Sequence, residues 1–281
     1  NTVVWAGHDG TSYQIYKHDG TTLTQVSTTT TFNDVPQIDG NTVVWSGHDG
    51  TSYQIYKHDG TTTTQLSTTS IGNFRPQIDG NTVVWQGLIG DVSHIFKHDG
   101  TSVSQLSTNS TANSVPQISG NTVVWQGTLG GVQHIFKHDG TAVTQVSSTT
   151  STNNRTPQIE GNIIVWDGDE AGVKNIYLAQ LCPFITTWKT DNAGTSNSTS
   201  ITIPTTGSGY NYDVDWNNDG TFDDFGVTGN ITHNYGTAGT YTVAIRGAFP
   251  RIFFSNGGDK LKLLSIEQWG DIVWTTMQSS N

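Results

Sequence analysis

The 281-residue sequence predicts an all-β chain. Three observations predict it: an internal repeat of 40 residues, apolar–polar alternation within short segments, and a composition of strand and turn formers. Thr, Val, Ile and aromatics favour strands, and the 32 Gly suit turns. Charged residues are only 12% of the chain, yet nine Trp, nine Tyr and ten Phe supply enough burial to argue against disorder. Ala, Leu, Glu and Lys are scarce, and no helical period runs through the sequence.

The repeat sets the architecture. NTVVW begins at Asn1, Asn41, Asn81 and Asn121, and a fifth copy, NIIVW, begins at Asn162. KHDG recurs at Lys17, Lys57, Lys97 and Lys137, and PQI at Pro36, Pro76, Pro116 and Pro157. Each unit reads as four short strands. In one unit these are A (Pro76 to Gly80), B (Asn81 to Gly87), C (His94 to Gly100) and D (Thr101 to Ser107). The Asp-Gly pairs of KHDG and of Asp39 and Asp79 read as two-residue hairpins, because Gly accepts positive φ. Four strands in about 40 residues is the size of a propeller blade. Trp5, Trp45, Trp85, Trp125 and Trp166 are suited to fill the space between stacked blades. The chain holds five B and five C strands but four A and four D strands. The expectation is a five-bladed β-propeller with incomplete first and last blades over residues 1–181. The alternative is a larger ring with further blades upstream.

The unit PQIDGNTVVWxG…QIYKHDGTTxTQLS resembles the TolB-type propeller repeat of bacterial extracytoplasmic proteins, a resemblance that implies fold and is nearly silent on activity. After Leu181 the composition shifts. FITTWKT, TSITIPT, YDVDW, NITHNY and TYTVAIRG alternate between Gly, Asn and Ser turns, the pattern of a small β-sandwich. Asp215-Trp216, Asp219-Gly220, His233-Asn234-Tyr235 and Gly239-Thr-Tyr-Thr-Val resemble a polycystic-kidney-disease-type (PKD) domain, implying an immunoglobulin-like sandwich over 182–248. From Phe184 onward, FITTWKTDN, YDVDWNNDGTFDDFG and LLSIEQWGDIVWTTM resemble the region before the leucine-rich repeats of BspA-like bacterial surface proteins. That resemblance implies that residues 249–281 either pack on the sandwich or lead toward repeats near Trp274 to Met277.

The strongest local chemistry is an acidic run. Asp213, Asp215, Asn217, Asp219, Asp223 and Asp224 place five carboxylates within twelve residues, which repel one another without a cation. Their spacing suits the oxygen ligands of Ca²⁺, although Gly226 stands where an EF-hand loop carries its bidentate Glu. The competing reading is an Asx-rich turn. His18, His58, His98 and His138 hold one position in four repeats, so a ring separates them; they read as turn residues. His94 and His134 carry no assigned role. Cys182 gives no argument for a nucleophile over a buried small residue. No serine elbow, phosphate loop or HExxH is present, so no catalytic residue is assigned and the chain reads as a non-enzyme.

Variation between repeats points to a surface. The B–C loops (HDGTS twice, LIGDV, TLGGV, DEAGV) and the D–A connectors (TTTTFNDV, TTSIGNFR, TNSTANSV, TTSTNNRT) differ, whereas the A–B and C–D turns are nearly constant. In a propeller the two variable sets lie on one face. Phe32, Phe74, Arg75 and Arg155 are the side chains there best able to hold a ligand. A net charge of −11 argues against nucleic acid, and no apolar run approaches the ~20 residues of a membrane span. The sequence therefore leads to the expectation of an extracellular or bacterial cell-surface binding and adhesion module. Its partner would be a glycan or protein ligand or a further copy of itself. A self-assembling filament or surface-layer subunit, and then a carbohydrate-active enzyme, are the alternatives.

Overall fold

The computed structural model describes residues 2–28, 31–68, 71–108, 111–140, 142–147, 153–170 and 172–276. Parts of the four D–A connectors, including 149–152, and the C-terminal residues from Met277 lie outside these. Among the described residues every regular element is a β-strand.

Five antiparallel sheets follow the repeat. They are β1 (Val3–His8), β2 (Tyr13–His18) and β3 (Leu23–Gln25); then β4 (Asn33–Asp39), β5 (Thr42–His48), β6 (Tyr53–His58) and β7 (Thr63–Gln65). The third holds β8 (Asn73–Asp79), β9 (Thr82–Ile89), β10 (Val92–His98) and β11 (Val103–Gln105). The fourth holds β12 (Asn113–Ser119), β13 (Thr122–Leu129), β14 (Val132–His138) and β15 (Val143–Gln145). The fifth is β16 (Asn154–Glu160), β17 (Ile163–Glu170) and β18 (Val173–Gln180). The first sheet thus begins at a B strand and the fifth ends at a C strand.

Two details depart from the sequence reading. The A strands begin three residues before the Pro, so Phe74, Arg75 and Arg155 lie in strands, not in connectors. The KHDG turn is a four-residue Asx turn: His18 pairs with Leu23, and the Asp19 carboxylate accepts the backbone N–H of Thr21 and Thr22. The A–B turn has two residues, but these are Gly40 and Asn41, since Asp39 pairs with Thr42.

Each of Trp45, Trp85, Trp125 and Trp166 packs on the sheet before its own. Trp85 clusters with Val44 and Ile55, Trp125 with Val84 and Ile95, and Trp166 with Val124 and Ile135. Its indole N–H donates to the Asn that opens its own A strand, as from Trp45 to Asn33 and from Trp85 to Asn73, both at 3.0 Å. That Asn in turn donates to Gln14 or Gln54 of the preceding sheet, so an apolar contact and a polar staple coincide. Nearer the axis the backbone N–H of Gly80 donates to Asp39, that of Gly120 to Asp79, and that of Gly161 to Ser119. The Lys of KHDG donates to the Asn of the next A–B turn, Lys57 to Asn81 and Lys97 to Asn121.

The second unit is a five-stranded sheet in the order β22-β21-β24-β19-β25, faced by the pair β20-β23. The strands are β19 (Phe184–Lys189), β20 (Ser200–Ile203), β21 (Asn211–Asp215), β22 (Asp224–Val227), β23 (Ile231–Asn234), β24 (Thr240–Ala248) and β25 (Leu263–Gln268). Phe184, Trp188, Ile201, Tyr212, Val214 and Phe249 form its core. The segment after Ala248 supplies β25, an edge strand paired with β19. Buried Lys262 donates from Nζ to the carbonyls of Ser196, Asn197 and Ser200, and buried Asp259 accepts from the backbone of Thr195, Ser196 and Thr202. These two residues fasten the long loop before β20 to the chain preceding β25.

Candidate functional site

The second unit meets the constant face of the first. The Arg246 guanidinium, in β24, donates from Nε to Asp213 at 2.9 Å and reaches the carbonyls of Ser119 and Gly161, in the A–B turns of the fourth and fifth sheets. It lies 3.9 Å from the Phe222 ring centroid, and Asp213 also accepts the backbone N–H of Asn121. Lys137, which by the repeat pattern would reach an A–B turn, instead pairs with Asp271 at 2.8 Å. The repetitive face is therefore occupied, and the variable face is open.

On that open face a cavity of about 610 Å³ is lined by Phe32, Asp34, Val35, Ser46, Tyr53, Phe74, Arg75, Gln86 and Ser114. Its rim is an aromatic arc. Tyr13 and Phe32 lie 5.3 Å apart between ring centroids, Phe32 and Tyr53 6.3 Å, and Tyr53 and Phe74 5.4 Å. Two polar groups face it without partners. Arg75 is exposed and, among the described residues, makes no ion pair. The Gln86 Oε1 is buried and accepts no hydrogen bond. A buried acceptor left unpaired costs about 1–3 kcal/mol, which a ligand N–H or O–H would recover.

The backbone builds this wall by a repeated distortion. Val35, Arg75, Val115 and Thr156 have φ of 52°, 53°, 54° and 48°, and each precedes a Pro. The pre-proline position disfavours the right-handed helical region, and here the chain bulges: register jumps between Asp34 and Gln37 and between Phe74 and Gln77. For β-branched Val and Thr a positive φ is strain, of a kind that collects at binding and switch sites.

Of the four residues singled out from the sequence, Phe32, Phe74 and Arg75 line this one cavity. Arg155 does not; it is tied to Asp169 at 3.1 Å and donates to Gln133. Sequence reasoning missed Tyr53, Val35 and Gln86. The position after the Trp held a usable signal: within a nearly constant B strand it runs Ala6, Ser46, Gln86, Gln126, Asp167.

The six residues considered for Ca²⁺ take separate roles. Asp213 faces Arg246, and its other oxygen accepts from Gly226 N–H. Asp215 accepts the backbone N–H of Gly220, Asn217 and Asp219, and burial outweighs these bonds to push its carboxyl up. Asn217 donates to Asp219, while Asp223 and Asp224 accept the backbone and indole N–H of Trp216. Among the described residues no three His, Cys, Asp or Glu gather as metal ligands. His18, His98 and His138 accept a Gly N–H within their own turns. Cys182 is exposed, not buried as its small size had suggested.

Another concavity, about 750 Å³, lies on the constant face beside Asp39, Asp79, Lys97 and Phe225. Burial, and then the neighbouring Asp39 and Asp213, push the Asp79 carboxyl up against the pull of Gly120 N–H and Arg246. Its Asp39 and Asp79 carboxylates already serve the axial hydrogen-bond ladder, so it is the weaker candidate.

No protein-family model matches the chain, and no curated protein matches it in sequence. Solved structures do. The β-propeller domain of the trilobed protease from Pyrococcus furiosus, with an open velcro topology, superposes with TM-score 0.50 at 11% identity, over 63% of this chain and 62% of that one. A protein assigned as TolB from Agrobacterium tumefaciens gives 0.45 at 17% identity, over 59% of this chain and 70% of that one. An acylaminoacyl peptidase from Pyrococcus horikoshii gives 0.44 at 12%, over 64% of this chain and 34% of that one. The fold of the repeats is that of β-propeller domains, with TolB-like relatives in structure; at these identities the likeness carries fold alone. It also corrects the functional expectation. The similar propellers belong to polypeptide-cleaving enzymes and a TolB-type protein, so the surface-adhesion reading and its filament and carbohydrate-enzyme alternatives are set aside.

Proposed function

We propose that this chain is a polypeptide-recognition unit: an open five-bladed propeller whose variable face receives an extended peptide, held on its other face by a sandwich of immunoglobulin-like, PKD-type build. The observation that carries the reading is the cavity of Phe32, Tyr53, Phe74, Arg75 and Gln86. An extended peptide offers what each wall requires: an apolar side chain for the aromatic arc, a backbone N–H for Gln86 Oε1, and a carboxylate for Arg75. Support also comes from the setting of similar propellers in peptidases. The role is selection and orientation of the peptide, with no bond cleavage assigned to this chain.

The test is calorimetric titration of the full chain with short peptides carrying one aromatic residue beside a carboxylate, against neutral oligosaccharides of similar size. Saturable peptide binding is expected, weakened about tenfold by Arg75→Ala, since a hydrogen bond to a charged group is worth about 1.5–3 kcal/mol, and weakened likewise by Phe74→Ala, which removes an aromatic wall of the cavity. Saccharide binding without peptide binding overturns the proposal.

A further inference from the structure

Resting on the peptide reading of the cavity of Phe32, Phe74, Arg75 and Gln86, we infer that the ligand carries an ammonium group and that Asp34 receives it. Asp34 and Arg75 together then select a peptide charged with opposite signs at two points. The inference rests on what the repeat does with the same positions elsewhere.

Asp34, Phe74, Ser114 and Arg155 are the second residues of β4, β8, β12 and β16. Where that residue is ionised in the fifth sheet, the chain supplies its partners: Arg155 pairs with Asp169 at 3.1 Å and donates to Gln133 at 2.9 Å. Asp34 is treated differently. Its Oδ1 accepts the backbone N–H of Val35 at 2.7 Å, and among the described residues no cationic side chain forms an ion pair with it. It stands half-buried in the cavity wall with Oδ2 to offer.

The polar groups around it are also short of donors. Ser46 is buried and pairs with Asp34 in register; its hydroxyl proton goes to the Asn73 carbonyl at 2.8 Å, so toward the cavity it can only accept. Gln86 Oε1 accepts nothing. One repeat later the matching Gln126 Oε1 takes the backbone N–H of Thr156, from the following A strand, at 3.4 Å. The chain itself thus shows the partner this amide oxygen takes, a backbone N–H, and leaves that place open at Gln86. A ligand that covers Asp34 without an opposite charge strips water from a carboxylate and returns nothing for it. A peptide that brings an ammonium supplies both the charge and the N–H donors. An ammonium fits better than a guanidinium, because the planar fork of an arginine is matched by two free carboxylate oxygens and Oδ1 is already held by Val35. Arg75, on the next A strand, remains for the peptide carboxylate. The ammonium comes from the amino terminus of the peptide or from a lysine, and the chemistry at Asp34 is the same.

Calorimetric titration of the full chain at about pH 6.5, where an α-amino group of pKa about 7.7–8.0 is charged, tests this. The probes are a short peptide amide holding a phenylalanine and an aspartate with a free amino terminus, its N-acetyl form, and the N-acetyl form with a lysine added before the phenylalanine. The free-amine peptide, the lysine peptide or both should bind about tenfold more tightly than the acetylated one, and which of them does so names the source of the ammonium. Asp34→Asn keeps an acceptor for the Val35 N–H but loses the charge, and should bind all three alike, at the level of the acetylated peptide. Asp91→Asn, which removes an exposed carboxylate of the third B–C turn outside the cavity, should keep the preference; this separates a local pair from the general attraction of a chain of net charge −11 for cations. Asp34→Lys should turn the preference toward an N-succinyl peptide, in which a carboxylate replaces the amine. If the three peptides bind the native chain equally, the inference is overturned and the peptide reading stands on its aromatic and carboxylate contacts. An ammonium preference that survives Asp34→Asn overturns it as well. If no peptide binds, both readings fall.

Discussion

At the scale of single residues, the repeat shows which side chains are interchangeable. Gln14 and Gln54 accept a hydrogen bond from Ser27 and Ser67 at 2.6 and 2.7 Å; in the next two repeats the same position is His94 and His134, facing Ser107 and Ser147. An imidazole accepts the hydroxyl proton only while neutral. Burial holds the His134 pKa below its ordinary value, and burial first, then the Lys57 and Lys97 charges respectively, does the same for His98 and His138. A depressed histidine pKa means that the unfolded chain binds protons first. The stability is fully present above the unfolded value of about 6.5 and is lost as pH falls from there through the folded values. Melting temperature followed from about pH 7.5 to 5 should therefore fall, and His134→Gln, which restores the residue of the first two repeats, should make it fall less. Parallel curves for the two proteins would show that His134 stays protonated or solvated in the fold. The sequence displayed the substitution of His for Gln, but its meaning required the Ser from the D strand, twelve or thirteen residues away in each repeat.

At the scale of strands, the positions of the B and C strands were legible, because a repeat multiplies a weak alternation signal. The A strands were read too short. Their opening residues, Asn73, Phe74 and Arg75, precede a Pro and carry a left-handed residue, both of which read as loop in a linear sequence. The strand continues through them as a bulge, held by the Asn that receives the Trp indole proton. Strands β22 and β25 were also missed. The first lies inside the acidic run, where Asp223 and Asp224 obscure a short strand, and the second pairs across 80 residues with β19. The bulge gives a prediction at this scale. Val115 is β-branched at φ 54° and, unlike Val35 and Arg75, does not line the cavity. Asn tolerates that conformation far better, so Val115→Asn should stabilise the chain by about 1 kcal/mol in denaturant unfolding without altering peptide binding. A loss of stability would mean that the valine side chain is packed tightly enough to outweigh its backbone strain.

At the scale of the whole molecule, the relation of the two units was not legible, since no local pattern marks Arg246 as the residue that enters the propeller's constant face. The structure makes it the pivot. Its guanidinium and the Asp213 carboxylate are almost wholly buried, at 4% and 0% side-chain exposure, and between them they bond Ser119, Gly161 and Asn121 of the first unit. Taking two charges out of water is costly, so the pair itself adds little net stability, but removing one partner strands the other at a cost of about 3–5 kcal/mol. Arg246→Met should therefore separate the melting of the two units. Calorimetry, which would show one cooperative transition for the native chain, should show two, and the linker around Cys182 should become sensitive to protease. The double variant Arg246→Met with Asp213→Leu removes both charges and should regain part of the coupling that the single variant loses. That recovery distinguishes a stranded carboxylate from the mere loss of the three hydrogen bonds to the propeller, which the double variant cannot restore. Peptide binding on the opposite face should survive both substitutions, because no residue of the second unit lines that cavity.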